Sequence, residues 1–140
     1  PSSALLGREL IQCSDFVMID LDSLAESLIM CERTSSHPSV FDRTRETHPV
    51  LLRAVRKLSA LALSFEKELT VSGESLVQEG LAQLLIGVGV RRFAVRPALL
   101  REAHAMLSEM NPETCGRVAE QACRVGSSKE LRELLPTSWK

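Results

Sequence analysis

The chain has almost no net charge, no long apolar run and no paired-cysteine motif, and each absence removes a class of function. Seventeen Lys and Arg against eighteen Asp and Glu leave a charge of -1, so no surplus of positive charge draws it to nucleic acid or to an anionic membrane. The longest apolar stretch, Leu81 to Val90, is broken by Gln83 and two glycines and falls far short of the roughly 20 residues a bilayer helix needs. No basic segment followed by an apolar one opens the chain, which implies a cytoplasmic protein. Cys13, Cys31, Cys115 and Cys123 show no C-x-x-C spacing and no nearby histidine pair. They are expected to be scattered reduced thiols rather than a zinc site. There is no internal repeat and no low-complexity segment.

What is present is an alternation of helix-like and strand-like segments, the pattern of an α/β domain built on a mostly parallel sheet. Its length suits a single domain, residues 1–140. Residues 2–12 carry apolar side chains at 4, 5, 6, 10 and 11, a helical face. Phe16 to Asp20 reads as a buried strand, followed by a helix from Leu24 to Met30 with Asp22 or Ser23 as its cap. Glu32 to Thr47 has no period and reads as a surface loop of about 16 residues, longer than most connections. His48-Pro49 then opens a helix whose stripe is Leu51, Leu52, Val55, Leu58, Leu61, Ala62 and Phe65. Residues 69–72 form a second strand, Leu76 to Ile86 a helix closed by Gly87, and residues 92–95 a third strand. Pro97 starts a helix running to about Met110. Asn111 caps another with Pro112 in its first position, and Ser127 or Ser128 caps the last, which Pro136 stops. Trp139 is read as a packing residue for that last helix.

The order and spacing of several motifs resemble the phosphoenolpyruvate (PEP)-utilising enzymes, in particular the Enzyme I, or PEP-protein phosphotransferase, branch of the sugar phosphotransferase system. Leu69-Thr70-Val71-Ser72-Gly73-Glu74 resembles a family strand ending in T-V-C-G-E, and Leu84-Leu85-Ile86-Gly87-Val88-Gly89-Val90 resembles the L-L-L-I-G-L-G-V after it. Asp15 to Leu24 is similar to D-F-F-S-I-G-T-N-D-L, with Glu32-Arg33 on the following D-R. Phe41-Asp42 and His48-Pro49-Val50-Leu51 echo Y-D-P-x-x-P-A-V-L, and Val118-Ala119-Glu120-Gln121-Ala122 is similar to V-L-A-E-Q-A. Nearly the whole chain is covered.

The resemblance implies a partial TIM-type (β/α)8 barrel with a site at the C-terminal ends of its strands. The family's chemistry moves the PEP phosphoryl group to a histidine on a separate domain, leaving an enolate. It needs Mg²⁺ held by an Asp and a Glu, an Asn and an Arg on the substrate, and a Cys that protonates the enolate. Carried onto this chain, the catalytic Cys is Ser72, whose hydroxyl is a far weaker acid than a thiol. The metal Asp is Ser23, which brings no charge to a hard cation. The substrate Asn is Asp22, which repels phosphate unless a metal lies between, and a small Gly is Asp20. The metal Glu falls before Pro1. Arg33, Gly73 and Glu74 match the family.

The resemblance therefore implies a domain expected to be catalytically inactive, with a binding, regulatory or assembly role and no cofactor. The alternative is part of a divergent or split PEP-dependent phosphotransferase completed by upstream sequence or another chain. In that case a one-residue shift makes Asp20 and Asp22 a carboxylate pair for Mg²⁺, set against their plainer use as helix caps. Arg33 likewise competes with an ordinary loop arginine, and Gly73 with a glycine kept for its turn. His37, His48 and His104 are read as turn-forming or solvated, and Arg91, Arg92 and Arg96 as solvating the ends of the third strand. Three strands cannot close a barrel that needs eight, so exposed sheet edges are expected to be covered by self-association or a protein partner. PEP or pyruvate stays open as a ligand.

Overall fold

The structure, a computed structural model, describes residues 2–29, 48–77 and 80–135. In chain order these form α1 (Ser2–Leu5), α2 (Gly7–Gln12), β1 (Phe16–Asp20), α3 (Leu21–Ile29), α4 (Pro49–Ser64), β2 (Glu68–Ser72), α5 (Leu81–Gly87), β3 (Arg92–Ala94), α6 (Leu100–Ser108), α7 (Pro112–Ala122) and α8 (Ser128–Leu134). Short 3-10 turns, Glu74–Val77 and Pro97–Leu99, follow β2 and β3. The sheet runs β1-β2-β3 with both pairings parallel, placing Asp20 beside Ser72 and Ser72 beside Ala94. Parallel neighbours need crossovers, and helices supply them here.

Side chains alternate across the sheet with period two. Ile19, Leu69 and Val71 are buried against the helices, with Val17 and Phe93 packed beside them. There they meet Leu51, Leu52, Val55 and Leu58 of α4 and Leu81, Leu84 and Leu85 of α5 in one core. The opposite face carries Phe16 and Met18, 65% and 55% exposed, next to Glu68 and Thr70. Arg92 and Glu68 pair across that face at 2.5 Å, with both side chains more than half exposed, so the pair contributes little. The described helices pack on one side of the sheet.

Local signals place the starts of α4, α7 and α8. His48 caps α4, its Nδ1 accepting from Val50 N at 3.2 Å, with Pro49 next. Asn111 Oδ1 accepts from Glu113 N at 2.9 Å and from Thr114 N at 3.2 Å to start α7. Ser127 Oγ accepts from Glu130 N at 3.2 Å while Glu130 Oε2 accepts from Gly126 N at 3.0 Å, a reciprocal cap for α8. Arg53 joins two distant parts, donating to the carbonyls of Cys123 and Val125 at 2.7 and 2.8 Å.

The His48 cap makes stability depend on pH. Burial first, and the nearby Arg53 charge second, hold its imidazole below the ordinary value of 6.5. Above that value the imidazole is neutral in both folded and unfolded chains and adds no pH dependence. As pH falls through 6.5 the unfolded chain takes the proton first, so stability declines until the lowered native value is passed. His48→Asn, which keeps a capping acceptor, is expected to flatten this part of a melting-temperature profile between pH 7 and 5. An unchanged slope would assign it to other groups.

Several sequence expectations shift. The helix after β1 begins at Leu21 rather than Leu24 and is capped by Asp20, not by Asp22 or Ser23, because the Asp20 carboxylate already reaches Ser23 N at 2.8 Å. The helix expected from Leu76 to Ile86 is a 3-10 turn and then α5, since Gly80 stands at φ 77°, outside helical geometry. Gly87 is the last residue of α5, and the left-handed residue just past the helix is Gly89, at φ 103°. The first helical face divides at Leu6, and the segment after Pro97 opens as a 3-10 turn. Cys13, Cys115 and Cys123 are free thiols, the first exposed and the others buried. No described helix is long and apolar enough to cross a membrane. The long loop with Arg33, His37, Phe41 and Asp42, as well as Cys31 and Trp139, lies outside the described residues.

Candidate functional site

In sheets of this topology ligands collect beyond the carboxyl ends of the strands, where the chain leaves the sheet on short turns. Here that edge presents Asp20, Asp22, Ser72, Gly73, Glu74, Ser75 and Arg96. The sequence singled out five of these, and the β1–β2 register brings them together. Each is engaged by the protein itself.

Asp20 Oδ1 accepts from Ser23 N and holds the first turn of α3. Asp22, the second residue of α3, reaches across to the turn after β2. Its Oδ2 accepts from Glu74 N at 2.8 Å and its Oδ1 from Ser75 Oγ at 2.5 Å. Ser75 is only 2% exposed, so its hydroxyl needs an internal acceptor, and an ionised one makes the stronger bond. Gly73 eases the approach: a Cβ there would stand 3.2 and 3.3 Å from the two Asp22 oxygens, a tight contact that a small shift of the side chain relieves.

Ser72 Oγ donates to the Ile19 carbonyl at 3.3 Å, turning its proton back into the sheet. Glu74 pairs with Arg96 at 3.3 Å, linking the ends of β2 and β3. Both side chains are more than half exposed, which makes the link weak in energy and useful mainly for orientation. Ser75 and the Glu74–Arg96 pair were not legible beforehand. A serine two residues past a glycine carries no distinguishing pattern, and Arg96 read only as a solvating strand-end residue.

The described carboxylates at this edge serve the protein's own turns. One oxygen of Asp20 and both oxygens of Asp22 accept from N–H or O–H donors of the neighbouring turns. Among the described residues no group of three or more His, Cys, Asp and Glu is placed to hold a metal.

The family model for the PEP-utilising enzyme, PEP-binding domain, matches residues 1–112, a stretch that contains the whole of this edge. The chain belongs to this family. Curated relatives of this PEP-utilising domain include the phosphoenolpyruvate-protein phosphotransferases of Chlamydia trachomatis, 24% identical over 96% of the chain, and Streptomyces coelicolor, 28% identical over 94%. Multiphosphoryl transfer protein 1 of Escherichia coli K12 is 24% identical over 86% of the chain. The match covers 23% of each of the first two relatives and 14% of the third, so the chain spans less than a quarter of their lengths. The mixed helix-and-sheet fold with three parallel strands agrees with the family assignment.

Proposed function

We propose that this chain is a degenerate PEP-utilising domain that does not transfer phosphate and serves a binding, regulatory or assembly role. The observation that carries the reading is the pair of hydrogen bonds that the turn after β2 donates to the Asp22 carboxylate. At the position where the family is expected to contact substrate, a fixed negative charge faces any phosphate or carboxylate and disfavours it. Two further features support the reading. Ser72 offers a hydroxyl where enolate protonation needs a stronger acid, and that hydroxyl is bonded to Ile19 O. Ser23 stands where the family places a metal carboxylate.

In this reading the chain is a segment of a (β/α)8 barrel. β1 and β3 each have one neighbour among the described strands, and the face bearing Phe16 and Met18 is uncovered by the described helices. Such a face favours association with a second copy or another protein. The near-zero charge supports neither nucleic acid nor membrane as the partner.

A second reading, part of a split or divergent PEP-dependent phosphotransferase, draws support from the names of the relatives and from the small share of their length that the chain matches. It requires carboxylates for Mg²⁺ from elsewhere. Calorimetric titration with millimolar PEP and Mg²⁺ separates the two. The inactive domain gives no saturable heat and no rise in melting temperature, whereas saturable binding of PEP supports the second reading. Ser72→Cys is expected to yield no PEP-dependent pyruvate. Pyruvate formation by that single variant would overturn the inactive reading.

A further inference from the structure

We propose that the cleft between α4, α5 and α7 binds a small zwitterionic α-amino acid, its carboxylate on Arg56 and its ammonium group on Glu120. The cleft holds about 220 Å³ and is lined by Arg56, Gly87, Val88, Gly116, Ala119 and Glu120. That is the volume of about seven waters, the scale of an amino acid with a short side chain. Gly87 and Val88 close α5 and lead toward the amino end of β3. The cleft therefore lies away from the carboxyl edge, and the inference does not depend on the functional reading above. Arg56 and Glu120, both exposed, carry opposite charges on one rim, yet no ion pair joins them. Arg56 has neither an ion pair nor a hydrogen bond among the described residues, and Glu120 engages Arg124 through Oε1 alone. Nor do the carbonyls of Gly87 and Val88 accept a hydrogen bond among the described residues, which leaves further acceptors at that wall for an ammonium group. A lone anion on Arg56 would meet the Glu120 charge, and a lone cation on Glu120 would meet the Arg56 charge. A molecule carrying both signs answers each and opposes neither. Gly116 keeps the space open, since nothing lies within 4 Å of a Cβ built there. Val88 and Ala119, both buried, offer apolar surface to a short side chain.

The test is a titration of the ¹⁵N-labelled full chain with L-alanine and with L-valine at constant ionic strength and pH 7, following the amides of Gly87, Val88, Gly116, Ala119 and Glu120 by NMR. Propionate and ethylamine, each carrying one of the two charges, are titrated alongside. At least one of the amino acids is expected to give saturable shifts at these amides in the millimolar range, and neither half-molecule to saturate. Arg56→Gln and Glu120→Gln are each expected to weaken binding at least about tenfold, the loss of one charge-assisted hydrogen bond. Lys57→Gln, next to Arg56 in the chain but not part of the lining, is expected to leave it unchanged, and Gly116→Val to abolish it by filling the space. The absence of saturable shifts with both amino acids overturns the proposal. Propionate or ethylamine binding as tightly as the amino acids also overturns it, since one charge would then suffice. Wild-type affinity in Arg56→Gln or Glu120→Gln does the same. Loss of a dispersed spectrum in both of those variants would make the two side chains structural braces and would likewise overturn it. None of these outcomes touches the inactive-domain reading, which is tested with PEP at the other end of the strands.

Discussion

Gly87→Val is expected to destabilise the domain by roughly 3 kcal/mol or more, because α5 and α7 touch backbone to backbone at this residue. A Cβ on Gly87 would lie 2.7 Å from the Cys115 carbonyl carbon and would collide with the Cys115 oxygen and the Ala119 Cβ. Main-chain atoms cannot swing aside as a flexible side chain can, so relief requires the helices to separate. Separation would open the core at Leu84 and Leu85, both fully buried beside that contact. With a urea dependence of about 2 kcal/mol per molar for a domain of this size, the midpoint should fall by about 1.5 M. Gly116→Ala on α7 is the internal control. Nothing lies within 4 Å of a Cβ built there, so the gain in helix propensity should appear undiminished as about 0.5–1 kcal/mol of added stability. A Gly87→Val protein with the wild-type midpoint would mean that α5 and α7 are not packed as described.

The second large effect concerns association. The wild-type chain is expected to sediment as more than a monomer, and the double variant Phe16→Glu, Met18→Glu to shift it to monomer. Both side chains project from the same face of β1, the face without described helices, so charging them leaves the core of Ile19, Leu69 and Val71 untouched. Burying each contributes about 1.5–3 kcal/mol. Losing both should therefore weaken an interface over this face by roughly 100-fold to 10,000-fold. A wild-type chain that is monomeric at tens of micromolar and resists unfolding would remove the case for association through this face. An unchanged oligomer in the double variant would move the interface elsewhere.

Some of this protein is written in short stretches of sequence. His48-Pro49, Asn111-Pro112 and the Ser127-Ser128 pair announce the starts of α4, α7 and α8, with Ser127 the cap in the structure, because capping links a side chain to a backbone N–H only two or three residues away. The α4 stripe is legible for a similar reason, since a helix returns to the same face every three or four residues. Family membership follows from motif order along the strands and the helix after β2, and the match over residues 1–112 agrees with it. Where local signals compete, the reading slips. Three polar residues in Asp20 to Ser23 can each cap a helix, and the first to reach a free N–H wins. Gly80 divides an apolar segment that reads as one helix because its positive φ is a backbone property.

The sequence by itself determined the three strands, the starts of α4 and α7, and five of the residues gathered at the carboxyl edge. Only the tertiary structure decided what those residues do there. Asp22 could have capped a helix or faced solvent, and it instead accepts from Glu74 and Ser75 because β1 and β2 pair in the register that puts Asp20 beside Ser72. Likewise Gly87 reads as a helix stop until α7 lies against it. A hydrogen bond between residues 52 apart, or a contact between two helix backbones, depends on how distant elements are set against one another, which no pattern within three or four residues encodes.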